Sequence, residues 1–180
     1  MVALVVVASA TAVAAVLSQR QVPKKAQAVE TQATPAPNYD VTFKQASDLV
    51  AGKQYSAAVK LWQSFIVRTP KGDNARRAND QLAEVYDLQG NFDGEMMAYQ
   101  AAIKAATPTF LEENGLGNAA MKEFFSLSSK PGFDQVKAKT SLNTANTAFG
   151  AAVPLAPDAA TAREARNQQA LAAATLAKLK

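Results

Sequence analysis

Three carboxylates, Asp80, Glu84 and Asp87, recur at a spacing of four and then three residues. On a helix that spacing puts all three on one face. Such a face suits an acidic strip for docking a basic partner, or a merely solvated surface. Arg163 and Arg166, three apart, also share a helical face; they could meet phosphate or acidic protein, or water alone. Glu112 and Glu113 are adjacent, so their side chains diverge and do not make an acid/base pair. Their chemistry fits the first turn of a helix, where negative charge is favoured. Gly115-Leu116-Gly117-Asn118 has the glycines of a phosphate loop, but neither its Lys-Ser/Thr ending nor a preceding strand.

What is missing narrows the chemistry further. The 180 residues include no histidine and no cysteine. Disulfides, thiolate metal sites, a thiol nucleophile and a Ser-His-Asp triad therefore cannot form within the chain. No histidine can ligate chlorophyll or heme, and no cofactor is expected; ligation by Asn, Gln or backbone stays open. An enzyme built on Asp, Glu, Lys, Ser or Tyr alone is the minor alternative to a non-catalytic role. The net charge of +4 permits contact with anionic lipid or acidic protein. The chain has no long basic run and no basic stripe interleaved with aromatics, so nucleic acid is not an expected partner.

The elements that position these residues are helices. Hydrophobic residues make up 48% of the chain, with alanine supplying much of that, and only 7% are aromatic. Alanine buries little area, so a thin core of closely packed helices is expected. From residue 39 the apolar period is about 3.6. A first helix is expected over Tyr39 to Ala51, with Phe43, Ala46, Leu49 and Val50 on its apolar side and Gly52 ending it. A second runs from Gln54 to Arg68, burying Tyr55, Ala58, Leu61, Trp62, Phe65 and Ile66, and stops at Thr69-Pro70-Lys71-Gly72. A third begins near Asn74 and breaks at Gly90. A fourth begins at Phe92 and stops at Thr107-Pro108. Further helices are expected over Asn118 to Leu127, over Phe133 to Val153, and from an N-cap at Asp158 to Lys178. Trp62, Tyr55 and Tyr99 read as core aromatics, not as a ligand box.

The N-terminus differs. Val2 to Leu17 carries no charge, and Arg20, Lys24 and Lys25 follow. The run is near the length of a short membrane span. Val2, Val5, Val6, Val13, Val16 and Leu17 would form the anchor, and the small residues between them would allow close approach to other spans. The expected organisation is a transmembrane helix over 1–20, a proline-containing linker over 21–38 and a helical domain over 39–180. The alternative is a secretory leader over 1–28, with Ala26-Gln27-Ala28 as its cleavage site. The lack of a positive residue before the apolar run weighs against that. The positive charges after it would put the domain in the cytoplasm, stroma or matrix; a lumenal or periplasmic domain is the other possibility.

Leu82 to Pro108 resembles a tetratricopeptide repeat, a helix–turn–helix unit of about 34 residues. Leu82, Ala83, Tyr86, Gly90, Phe92, Tyr99 and Ala102 stand in register with that pattern. Glu95 replaces a small residue, and Pro108 comes one position late. Tyr55, Ala58, Trp62 and Pro70 match an earlier unit, where Phe65 and Gly52 depart from it. Pro131-Gly132-Phe133 hints at a third. The resemblance implies an all-α stack of antiparallel helical hairpins closed by a terminal capping helix. It also implies a concave surface lined by the first helix of each hairpin, to which Arg77, Asp80, Glu84 and Asp87 would project. The family's basic clamp for C-terminal carboxylates has no counterpart here.

These readings combine into one expectation. The chain is a single-pass, membrane-anchored structural or adaptor subunit of a larger membrane complex. It touches lipid through its anchor and other subunits through its helical domain. An accessory photosystem subunit in a plastid thylakoid membrane is the first candidate. A respiratory-complex accessory subunit in a mitochondrial or bacterial inner membrane is the second. An exported soluble binding module, with 1–28 as its leader, is the rival class.

Overall fold

The computed structural model describes residues 37–179. The expected anchor, from Val2 and Val5 through Val6, Val13 and Val16 to Leu17, lies outside these residues, as does the linker as far as residue 36. Among the described residues no helix is long and apolar enough to cross a membrane. They form only helices: α1 (Tyr39–Ala51), α2 (Tyr55–Arg68), α3 (Asp73–Leu88), α4 (Phe92–Ala105), α5 (Phe110–Ser128), α6 (Gln135–Ala152), a 3₁₀ turn (Val153–Leu155) and α7 (Ala159–Lys178).

Local chemistry sets most of these ends. The Asn38 side chain accepts from the backbone N–H groups of Asp40 and Val41 and starts α1. Asn91 does the same for α4, Asp134 for α6 and Asp158 for α7. Each satisfies a donor that the first helical turn leaves unpaired. Gly90 turns α3 into α4 with φ of +66°, a backbone conformation that side chains with a Cβ rarely adopt.

Consecutive helices pack on each other throughout, and α1 also reaches α3. Short turns make each neighbouring pair antiparallel, so the elements form three hairpins and a closing helix. The core is thin and rich in alanine. Its larger part lies around Trp62, Phe65, Tyr39, Leu82 and Tyr99, with Ala58, Ala78, Ala83 and Ala98 between them. The Tyr39, Trp62 and Phe65 rings meet at centroid distances of 5.6–6.0 Å, mixing edge-on and tilted contacts. A second cluster gathers Met121, Phe124, Leu142 and Phe149 with alanines from α5, α6 and α7.

Three expectations are corrected. The helix expected from Asn118 begins at Phe110, because Thr109 and Glu112 form a reciprocal capping box one turn before the glycines. Gly115 and Gly117 therefore lie inside α5. A Cβ on Gly115 would stand 2.5 Å from the Tyr99 ring, and one on Gly117 would stand 2.6 Å from the Phe149 ring. The glycines admit two aromatic rings against the helix. The helix expected from Phe133 begins at Gln135, where Asp134 caps it. On α1, Phe43 is not buried but 41% exposed, and Tyr39, Thr42 and Ala46 form the buried side instead.

Candidate functional site

The parallel helices α1 and α3 leave an apolar groove between them. It has a volume of about 360 Å³ and is lined by Phe43, Ala46, Ser47 and Val50 of α1 and by Gln81, Glu84, Val85 and Leu88 of α3, with Trp62 among the remaining lining residues. The two sets obey one spacing. Phe43 corresponds to Gln81, Ala46 to Glu84, Ser47 to Val85 and Val50 to Leu88, each pair at the same offset along the chain. The offset also pairs Tyr39 with Arg77, whose guanidinium lies 4.2 Å from the centre of the Tyr39 ring. That contact shows the two helices to be in register. Each lines the groove at positions i, i+3, i+4 and i+7, the stripe by which a helix packs on another helix.

Phe43 and Leu88 are both large and apolar, yet 41% and 54% exposed. Glu84 is the only charged residue lining the groove. Its pKa is raised, first by burial, against which a hydrogen bond involving Gln81 acts. Among the described residues no cation forms a salt bridge with it.

The sequence-expected strip divides here. Glu84 and Asp87 are exposed, but Asp80 is buried. At the start of the face shared by the three, α5 brings Glu112 to the guanidinium that also approaches Asp80. Arg76, one turn before, lies 3.7 Å from the Asp80 carboxylate and also pairs with Glu112. Asp87 is engaged by Lys122 at 2.6 Å, and the same ammonium reaches the buried Glu95 at 3.1 Å. Arg77 is exposed and stacked on Tyr39, at the end of the groove. Of the four residues, then, only Glu84 lines it. Arg163 and Arg166 are exposed on α7, remote from α3 in the stack. Arg163 lines an open polar cavity of about 550 Å³ with Phe110, Asn114, Thr161, Glu164 and Asn167.

Sequence reasoning missed Phe43, Ser47, Val50, Gln81 and Leu88 as site residues. The signal is the repeated spacing in α1 and α3, which by itself looks like two core stripes. Among the described residues no group of three or more acidic side chains is arranged to hold a metal ion. No family model matches this sequence, and no curated protein matches it either.

Proposed function

We propose that this chain is a non-catalytic docking subunit, of the tetratricopeptide-like build its sequence resembles, tethered to a membrane through residues 1–20. In this reading the α1–α3 groove receives a helix of another subunit. One observation carries it: two parallel helices in register present matching i, i+3, i+4, i+7 stripes to an open apolar groove. Apolar side chains of the incoming helix would cover Phe43, Val50 and Leu88, and a lysine or arginine would meet Glu84. This is the helix-in-groove mode of recognition. The larger assembly is the membrane complex expected from the sequence, a photosystem first and a respiratory complex second.

The test combines a native gel of gently solubilised membranes with mass spectrometry of the band and of the intact N-terminus. Co-migration with a large complex, with residues 1–28 retained, supports the anchored subunit and identifies its partners. A free soluble chain lacking those residues refutes the anchor and leaves an exported docking module. Leu88→Glu with Phe43→Glu should release the chain from its complex while its helical circular dichroism stays unchanged. Continued co-migration of that double variant would remove the groove from the interface.

A further inference from the structure

The α3–α5 contact holds a polar cluster that docking does not use. Asp80 is 6% exposed and Glu112 is fully buried. The two carboxyl groups converge on one guanidinium, that of Arg76. Glu112 is well supplied with donors: Arg76 Nη1 donates to one oxygen, and the Thr109 backbone N–H (2.6 Å) and hydroxyl donate to the other. Asp80 is not. Its Oδ2 is 3.7 Å from Arg76, beyond hydrogen-bond length, and its buried Oδ1 has no partner.

One guanidinium thus faces two buried carboxyl groups. If both were ionised, the cluster would hold two adjacent anions against one cation, with one oxygen unsatisfied. A proton on Asp80 removes the excess charge, because the one anion that remains is matched by Arg76. We infer that Asp80 and Glu112 share one proton at neutral pH, and that this proton closes the joint between the second and third hairpins.

The surrounding groups agree. From α3 itself, Arg76, Glu84 and the more distant Asp73 act on the cluster; from α1 comes Tyr39, from α4 Tyr99, and from α5 Glu112. Burial is the largest influence on Asp80, Glu112 the next, and Arg76 only partly opposes them, so its pKa is pushed up to about 7. The Tyr99 hydroxyl is pushed up by burial, then by Glu95, Glu84, Asp80 and Asp87, so it stays neutral and supplies no charge.

The joint has two ends. Arg76, Asp80 and Glu112 link the start of α3 to the start of α5. Lys122 links α5 to Asp87 near the end of α3 and to Glu95 of α4. The pKa of Glu95 is also raised, first by burial, against which its hydrogen bond with Lys122 acts. Loss of the shared proton therefore loosens the start of α5, while Lys122 still holds its other end.

The native carboxyl of Asp80 titrates above its unfolded value of about 3.9. Its contribution to stability is fully present below that value and is lost as pH rises through about 7. Between those limits the folding constant should fall by up to about tenfold per pH unit on its account.

Infrared titration of the full chain in detergent reads the proton directly. A protonated-carboxyl band should persist at pH 6, vanish with a midpoint near neutrality, and be missing in Asp80→Asn. Amide exchange, corrected for its intrinsic pH dependence, should show residues 110–116 losing up to about thirtyfold of protection from pH 5.5 to 8.5 relative to residues 119–125. Absence of the band at pH 6 in the unmodified chain would overturn the proposal even if Asp80→Asn fails to fold. So would persistence of the same band in Asp80→Asn, which would assign it to Glu84, Glu95 or Glu113. Equal protection of the two segments at both pH values would overturn the joint.

Discussion

Gly117→Ala sets two physical effects against each other with opposite signs. A glycine inside a helix costs about 1 kcal/mol relative to alanine, so on helix propensity alone the variant should be more stable. Packing says otherwise. The added Cβ would stand 2.6, 2.7 and 2.9 Å from three carbons of the Phe149 ring. Ordinary carbon contacts lie at about 3.5–4.0 Å, so the ring or the helix must move by about 1 Å. Phe149 is fully buried among Leu142, Met121 and the alanines of three helices, which leaves its ring no open space. Overpacking of this kind typically costs about 1–3 kcal/mol, and a rigid ring on a helix backbone belongs at the upper end. The net expectation is a loss of about 2 kcal/mol, or a fall in Tm of about 4–8 °C for a chain of this size. Thermal unfolding of the full chain in detergent, followed by circular dichroism, measures it. Adding Phe149→Leu should recover part of the loss, because the flat ring is what the glycine admits. A Gly117→Ala variant as stable as the unmodified chain, or more so, would refute the packing account and leave the glycine unexplained.

Two further outcomes follow from local geometry. At Gly90 a Cβ would meet nothing within 4 Å, so any cost comes from its φ of +66°. Gly90→Val should therefore lose about 1–2 kcal/mol in denaturant unfolding while Gly90→Asn loses much less, and equal losses would contradict this. Burial pushes the Glu112 pKa up, but the hydrogen bonds from Thr109 and Arg76 together outweigh it, and the value is lowered. Its stabilisation is thus present above the ordinary glutamate range and is lost as pH falls through the lowered native value. Thr109→Ala removes the hydroxyl from that set and the cap from α5. It should cost about 1 kcal/mol at neutral pH and move the acid-unfolding midpoint to higher pH. An unchanged midpoint in an acid titration would detach Glu112 from acid stability.

Helices α1 to α4 are legible because their ends are written locally. Gly52, Pro70, Gly90 and Pro108 interrupt a clear 3.6-residue period, and the observed bounds of α1 to α4 fall within a few residues of the expected ones. The start of α5 is not legible in the same way. Two glycines close together normally signal a break. Here each serves an aromatic ring from another helix, and neither Tyr99 nor Phe149 is near in sequence. The fate of Asp80 is hidden for the same reason. It does share a helical face with Glu84 and Asp87, but only the path of the α4–α5 turn brings Glu112 over one end of that face. The groove is legible in principle, since the spacing in α1 repeats in α3. Each stripe taken alone looks like core, and only their shared offset sets them side by side.

The charges buried between the helices have a further consequence for the fold. Alanines at seam after seam make one helix position much like the next, so apolar packing alone distinguishes poorly between a correct register and one displaced by a turn of about 5.4 Å. Three buried glutamates break that degeneracy. Glu112 is met by Arg76, Glu95 by Lys122 and Glu123 by Lys137, and every pair joins two different helices. Lys122 and Lys137 each also hold an exposed aspartate, Asp87 and Asp93 respectively. Sliding α5 by one turn would strip Glu112 and Glu123 of their cations and take Lys122 from Glu95. An uncompensated buried charge costs about 3–5 kcal/mol, so even one such loss takes much of a stability that totals about 5–15 kcal/mol in ordinary domains. The same pairs add little to the stability of the correct register, since desolvating the carboxylates offsets most of their attraction. Their effect is selective: the alanine seams bring the helices close, and the ionic links permit one alignment of them. That alignment keeps α1 and α3 in step and so forms the groove.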